Sequence, residues 1–241
     1  MLTEICAASV SSALNAQNGG AQRIELCAEL AVGGITPSFG MLKEALGLLQ
    51  IPVFVLIRPR SGDFNYSALE FEVMKKDIQL CRELGCAGVV SGVLNEDNTI
   101  DNERTGELIK LTGPLEFTFH RAFDQLTNAE EGIKQLIDLG ADRILTSGLE
   151  SNAESGLENL VRLKKLADKK IIILPGGGIH SGNVQLFKTN GFTEIHASAS
   201  SVVKGVKQAK IPMNSPKFFD ETKQFESDLA KIKAIVSQAL D

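Results

Sequence analysis

Short apolar runs recur along the chain, each followed by a segment with the 3.6-residue spacing of a helix. Leu2 to Cys6 predicts a first strand, and Ser9 caps a helix through Asn18 that Gly19-Gly20 ends. Gly20 through Cys27 then alternates Arg23, Glu25 and Cys27 with Ile24 and Leu26, a second strand with one polar face. After Gly33-Gly34, Thr36-Pro37 predicts a capped helix to about Leu49, and Ile51 to Ile57 a third strand. Ser67 to Glu70 is a capping box opening a long helix that Gly85 closes. Strands follow at Ala87 to Ser91 and Leu115 to His120, with a helix from the Asp101 cap to Leu111 between them and another opened by Asn128.

Gly140 to Ser147 repeats the Gly20 unit as a sixth strand. Ala153 to Ala167 predicts a helix, Lys170 to Leu174 a seventh strand broken by Gly176-Gly177-Gly178, Ser181 to Thr189 a short helix and Thr193 to Ala197 an eighth strand. Phe225, Leu229, Ile232 and Val236 share one face of a final amphipathic helix. Strands and helices that alternate over short connections call for a parallel sheet, and eight such units predict an α/β, TIM-type (βα)8 barrel. An open doubly wound sheet is the alternative. Aligning Gly20, Gly85, Gly140 and Gly191 superposes the starts of strands two, four, six and eight, a quarter-barrel repeat that favours closure. The expectation is one domain: a barrel over residues 1–200, with a C-terminal loop and helix over 201–241 packed on it.

Strand parity assigns the faces. Val53, Val55, Ile57, Ile144 and Ile195 should meet the helices, which turns Glu4, Cys6, Arg23, Glu25, Cys27, Arg58, His120, Arg143, Ser147, Glu194, His196 and Ser198 inward. Glu4, Glu25 and Glu194 would then meet Arg23, Arg58 and Arg143, and pairing is required, since an unpaired buried charge costs several kcal/mol.

Composition narrows the function. The 241 residues carry 43% hydrophobic and 23% charged side chains, enough for one sizeable core. A net charge of -5 without a basic stripe argues against nucleic acid. No apolar stretch approaches the ~20 residues that cross a bilayer, and Met1-Leu2-Thr3-Glu4 has no basic region before an apolar run, so a soluble cytoplasmic protein is expected without a membrane partner. Cys6, Cys27, Cys81 and Cys86 form no CxxC pair and are expected as reduced thiols.

Cys6, Cys27, Arg58, His120, Ser147, His196 and Ser198 fall at C-terminal strand ends, where barrel enzymes place their chemistry. Cys6 and Cys27 sit on adjacent strands roughly 4.8 Å apart. Two thiolates at that spacing suit a soft monovalent ion such as Cu(I), although cysteine also packs as a small apolar residue. Zinc would need further ligands that no compact Cys/His spacing supplies.

A second chemistry fits the same rim. Arg58, Arg60, Asp63, His120, Arg121 and Asp124 are more polar than a two-cysteine carrier requires, and Gly176-Gly177-Gly178 with His196-Ala197-Ser198 stands where barrels hold phosphate. A small anionic or phosphorylated substrate would be bound by Arg58, Arg60, Ser147, the glycine turn, His196 and Ser198. His120, Glu25 and Asp124 would carry proton transfer.

Glu4-Ile5-Cys6, Arg23 to Cys27, Gly33 to Ser38, Ile57 to Phe64, Thr118 to Asp124, Arg143 to Gly148, Pro175 to Ile179 and Glu194 to His196 together resemble the CutC family of copper homeostasis proteins, in order over about residues 1 to 200. The resemblance implies a cytoplasmic homo-oligomeric barrel with a copper role, Cys6 and Cys27 as ligands, copper as the bound cofactor and no nucleotide cofactor. Gln22 and Ser91 depart from the family pattern, which has an acidic residue and a phenylalanine there.

Overall fold

In the computed structural model, residues 1–203, Ile211 and residues 223–240 are described; of the C-terminal loop expected from residue 201, 204–210 and 212–222 lie outside them. The strands are β1 (Leu2–Ala7), β2 (Arg23–Leu26), β3 (Val53–Leu56), β4 (Gly88–Ser91), β5 (Glu116–Phe119), β6 (Arg143–Thr146), β7 (Ile172–Pro175) and β8 (Glu194–Ala197). They form one parallel sheet in the order β7-β6-β5-β4-β3-β2-β1-β8. A bridge between Gly176 and His196 brings β7 to β8 and nearly closes the (βα)8 barrel.

The helices begin where side chains cap them. Ser9 accepts from the Ser12 N–H at the start of α1 (Val10–Asn18), Asp101 caps α4 (Asn102–Thr112) and Asn128 caps α5 (Ala129–Leu139). Ser67 and Glu70 form the reciprocal capping box of α3 (Ala68–Leu84). The repeat glycines all lie in the left-handed region, at φ of 89°, 76°, 84° and 72° for Gly20, Gly85, Gly140 and Gly191, and each turns a helix toward the next strand.

Several element starts differ from the sequence expectation. Helix α2 (Phe39–Leu48) is capped by Ser38 rather than Thr36, because Ile35 pairs with Ala28 and the Thr36 N–H donates to the Arg58 carbonyl, which keeps the chain extended through Thr36. Helices α6 (Leu157–Ala167) and α7 (Val184–Thr189) start later than expected, after turns at 153–156 and 181–183. Phe225 belongs to a short strand, β10 (Phe225–Ser227), paired antiparallel with β9 (Ser200–Val202), so the last helix, α8, spans only Leu229–Leu240. It buries Ile232, Ile235, Val236 and Ala239. Ile232 lies so close to Gly19 that an added Cβ there would stand 2.4 Å from its side chain.

Two cores result from the strand parity. Ile5, Ile24, Leu26, Val53, Val55, Ile57, Ile144 and Ile195 join the shell between sheet and helices. Cys6, Cys27, Phe54, Leu56 and Val90 form a smaller cluster inside the barrel. Below that cluster, Arg23 is held by Glu4 and by Glu194, the latter at 2.5 Å, and Arg143 reaches Glu194 at 3.2 Å. The guanidiniums of Arg23 and Arg143 lie 4.7 and 5.2 Å from the Phe54 ring centroid. The interior network is narrower than three carboxylates against three arginines. Arg58 and Glu25 stand outside it, and Arg143 also pairs with Glu116 at the strand mouth.

Removing Arg23 leaves Glu4 and Glu194 buried with their main counter-charge gone. Arg23→Met should lower the unfolding free energy by about 3–5 kcal/mol in urea denaturation. A loss below about 1 kcal/mol would show that the pair does not hold the barrel floor.

Candidate functional site

The parallel register sets Cys6 beside Glu25, and Glu4 beside His196. These side chains converge at the C-terminal end of the barrel. Cys6 Sγ lies 3.5 Å from Cys27 Sγ and 3.8 Å from Glu25 Oε1. Ligand atoms of Cys6, Glu25 and His196 all fall within 4.8 Å of one another, a grouping of metal-ligating type. His196 Nδ1 is 2.7 Å from Glu4 Oε1, the kind of second hydrogen bond that orients a ligating imidazole and leaves its other nitrogen outward.

The electrostatics follow from burial and neighbours. Burial by itself would raise the Glu4 carboxyl, but the His196 hydrogen bond and the charge of Arg23 outweigh it and hold Glu4 at about 2. Glu25 goes the other way, to about 7, because burial dominates and Glu4 repels its charge. Burial opposes the imidazolium of His196, yet the Glu4 hydrogen bond and the charges of Glu25 and Glu4 raise it overall. The Cys6 thiol is pushed well up by its hydrogen bond with Cys27 and by burial, so it is protonated near neutrality.

Above these groups opens a cavity of about 450 Å³, lined in part by Cys6, Glu25, Arg58, His120, His196 and Ser198. Gly177 and Gly178 form one wall at φ of 98° and 77°, and an added Cβ on Gly177 would meet the Arg121 guanidinium at 3.4 Å. A larger cavity, about 600 Å³, lies at the opposite end of the barrel between Lys164 and Phe192, and its lining holds neither cysteine nor histidine. The chemistry-bearing groups therefore favour the smaller one.

Arg58 is buried and spends its Nη donors on the chain, Nη1 on the Val32 and Gly34 carbonyls and Nη2 on that of Gly62, at 2.8 to 2.9 Å, while Nε has no hydrogen-bond partner among the described residues. This ties the β2–α2 and β3–α3 loops together over the rim. Phe64, in the second loop, packs edge-on against His120 with ring centroids 4.8 Å apart. His120 Nδ1 accepts from the Ala122 N–H, so the proton of the neutral ring is on Nε2, which has no partner among the described residues. Burial and then Arg58 press the imidazolium down to about 3, so His120 is neutral.

Asp124 organises the next loop. Its buried carboxylate accepts from Thr146 Oγ1, the N–H groups of Ser147 and Leu149, and Arg121 Nε. It does not line the cavity, and neither do Arg60, Ser147, Gly176 or Cys27. Arg60 points to Asp63 and Glu70, and Ser147 Oγ sits 2.6 Å from the Glu150 carbonyl. Arg121, by contrast, lines the cavity although it is not among the binding residues singled out from the sequence. The sequence sets it in the polar rim, directly after His120 at the end of β5, but gives it no binding role.

A family model for the CutC family matches residues 1–201. The chain belongs to the CutC family. A CutC protein of Photorhabdus laumondii is 47% identical over 221 residues, 90% of this chain and 89% of its own. The copper homeostasis protein cutC homolog of Homo sapiens is 49% identical over 201 residues, 83% of this chain and 74% of its own. The crystal structure of a CutC copper homeostasis protein from Streptococcus agalactiae superposes with a TM-score of 0.79 at 35% identity, over 82% of this chain and 98% of that one. An aldolase and a Pyrococcus furiosus thiamine phosphate pyrophosphorylase share the barrel alone, at 15% identity and TM-scores of 0.61. The two departures from the family pattern are accommodated: Gln22 Oε1 accepts the Thr3 N–H, and the buried Ser91 hydroxyl donates to the Ile57 carbonyl.

Glu25 binds its proton more tightly folded, at about 7, than an ordinary carboxyl at 4.5 does. Its contribution to stability is therefore complete below about pH 4.5 and lost as pH rises through 7. Glu25→Gln should remove that loss: relative to the wild type, the variant should gain up to about 3 kcal/mol in urea unfolding between pH 4.5 and 8. Parallel pH curves for the two proteins would contradict the burial of this carboxyl.

Proposed function

We propose that this CutC-family protein serves copper homeostasis in the cytoplasm by holding Cu(I) between the thiolates of Cys6 and Cys27. The reading rests on the two sulfurs 3.5 Å apart, one at the floor of the rim cavity and one fully buried beneath it. Soft sulfur ligands suit Cu(I), and a buried pair shields the ion from water and from hard competing ligands. The relatives' names, copper homeostasis proteins, agree with it.

The residues fit such a cargo. Both thiols must lose their protons to bind, and Glu25 Oε1 beside Cys6 is placed to accept one. Glu25 Oε2 has no hydrogen-bond partner among the described residues and faces His196 Nδ1 at 4.0 Å. Glu4, by fixing His196 through Nδ1, keeps the imidazole beside Cys6, where its second nitrogen can complete the ligand set.

Cu(I) titrated against a strong competing chelator should bind the wild type at least about a hundredfold more tightly than Cys6→Ser/Cys27→Ser, ~2.7 kcal/mol. Equal affinity would rule out the thiolate site.

A further inference from the structure

The upper half of the cavity has a chemistry that a dithiolate copper site does not use. Arg58 is buried, carries its charge to the rim, and forms no ion pair with a carboxylate among the described residues. Its Nη atoms meet only neutral carbonyls, the Phe64 ring lies 5.1 Å from the guanidinium and Nε has no hydrogen-bond partner among the described residues, so this buried cation still lacks a counter-charge. Across the cavity stands Arg121. Its Nε is locked on Asp124 at 2.7 Å and its Nη2 on Ser147 Oγ at 2.9 Å, while Nη1 faces Gly177, whose missing side chain leaves the approach open. Asp124 cannot turn away from this task, because Thr146 and two backbone N–H groups also hold it. Arg121 is thus a pre-oriented guanidinium at the edge of a cavity, the arrangement that recognises planar or tetrahedral oxyanions.

Next to it in sequence, His120 offers something different. With Nδ1 taken by the Ala122 N–H, the ring is a fixed neutral donor through Nε2, and that buried N–H is unsatisfied among the described residues, which is unfavourable. An acceptor supplied from outside would relieve it. Burial and then the charge of Arg58 keep the ring neutral, so Nε2–H serves as a hydrogen-bond donor.

We propose that this cavity binds a small organic anion, a carboxylate or phosphoryl compound, whose charged oxygens face Arg121 and Arg58 and whose neutral oxygen accepts the Nε2–H of His120. Such a molecule would lie directly over Cys6 and Glu25, so that ligand and thiol share one chamber. It would be either the substrate of a reaction at the rim or the molecule that covers the metal pocket; in both cases the recognition elements are the same. The site goes beyond the copper reading, since neither arginine nor His120 touches the sulfurs.

The test separates the two readings by using metal-free protein with Cys6→Ser/Cys27→Ser, in which the thiolate site is gone. With histidine labelled in 15N, pyruvate and inorganic phosphate are titrated separately and the Nε2–H signal of His120 is followed, with His180, outside the cavity, as reference. Saturable movement of the His120 signal with one or both probes, weakened about tenfold by Arg121→Gln, ~1.4 kcal/mol, is the expected result. A response to pyruvate alone identifies a carboxylate ligand and a response to phosphate alone a phosphoryl one. No saturable movement with either probe, an equal drift of His180, or unchanged affinity in Arg121→Gln would overturn the proposal.

Discussion

Glu4 is the carboxylate on which the structure turns. One of its oxygens accepts from Arg23 and the other lies 2.7 Å from His196 Nδ1. The same side chain thus ends the ion-pair network at the barrel floor and begins the cluster at the rim. Because it is fully buried, its charge survives only while both partners are present, and that requirement fixes β1, β2 and β8 relative to one another. The orientation of His196 beside Cys6 is a consequence of the floor being charged rather than apolar.

Above the floor, function is distributed by depth. Arg23, Arg143 and Phe54 fill the lower interior, Cys27 and Cys6 the middle, and the loops tied by Arg58 and Asp124 enclose the top. Each loop is held by a buried side chain that gathers several backbone groups: Arg58 takes three carbonyls, and Asp124 takes two N–H groups and the side chains of Thr146, Ser147 and Arg121. A rim built this way is rigid without strands, and it holds the sulfurs of Cys6 and Cys27 together beneath the cavity.

Much of this was legible in the sequence because strand geometry leaves no choice. A period of two sends Glu4, Cys6, Glu25 and Cys27 to one face, and the left-handed glycines of the repeat mark where strands begin. What was not legible depends on loops. Arg58 shares the inward parity of a pairing arginine, yet the carbonyls of Val32, Gly34 and Gly62 reach it first. Thr36 and Ser38 are both good caps, and only the tertiary bond from the Thr36 N–H to the Arg58 carbonyl selects Ser38. Phe225 fits the helical spacing of α8 but is drawn into an edge pair with Val202. Arg121 approaches Gly177 across two loops distant in sequence, a meeting that periodicity does not encode.

The most direct measurement of the copper account is the X-ray absorption fine structure of the protein loaded with one equivalent of Cu(I). A first shell containing the sulfurs of Cys6 and Cys27, lost when both are serine, is the predicted result. A shell of nitrogen and oxygen alone in the wild-type protein would contradict it.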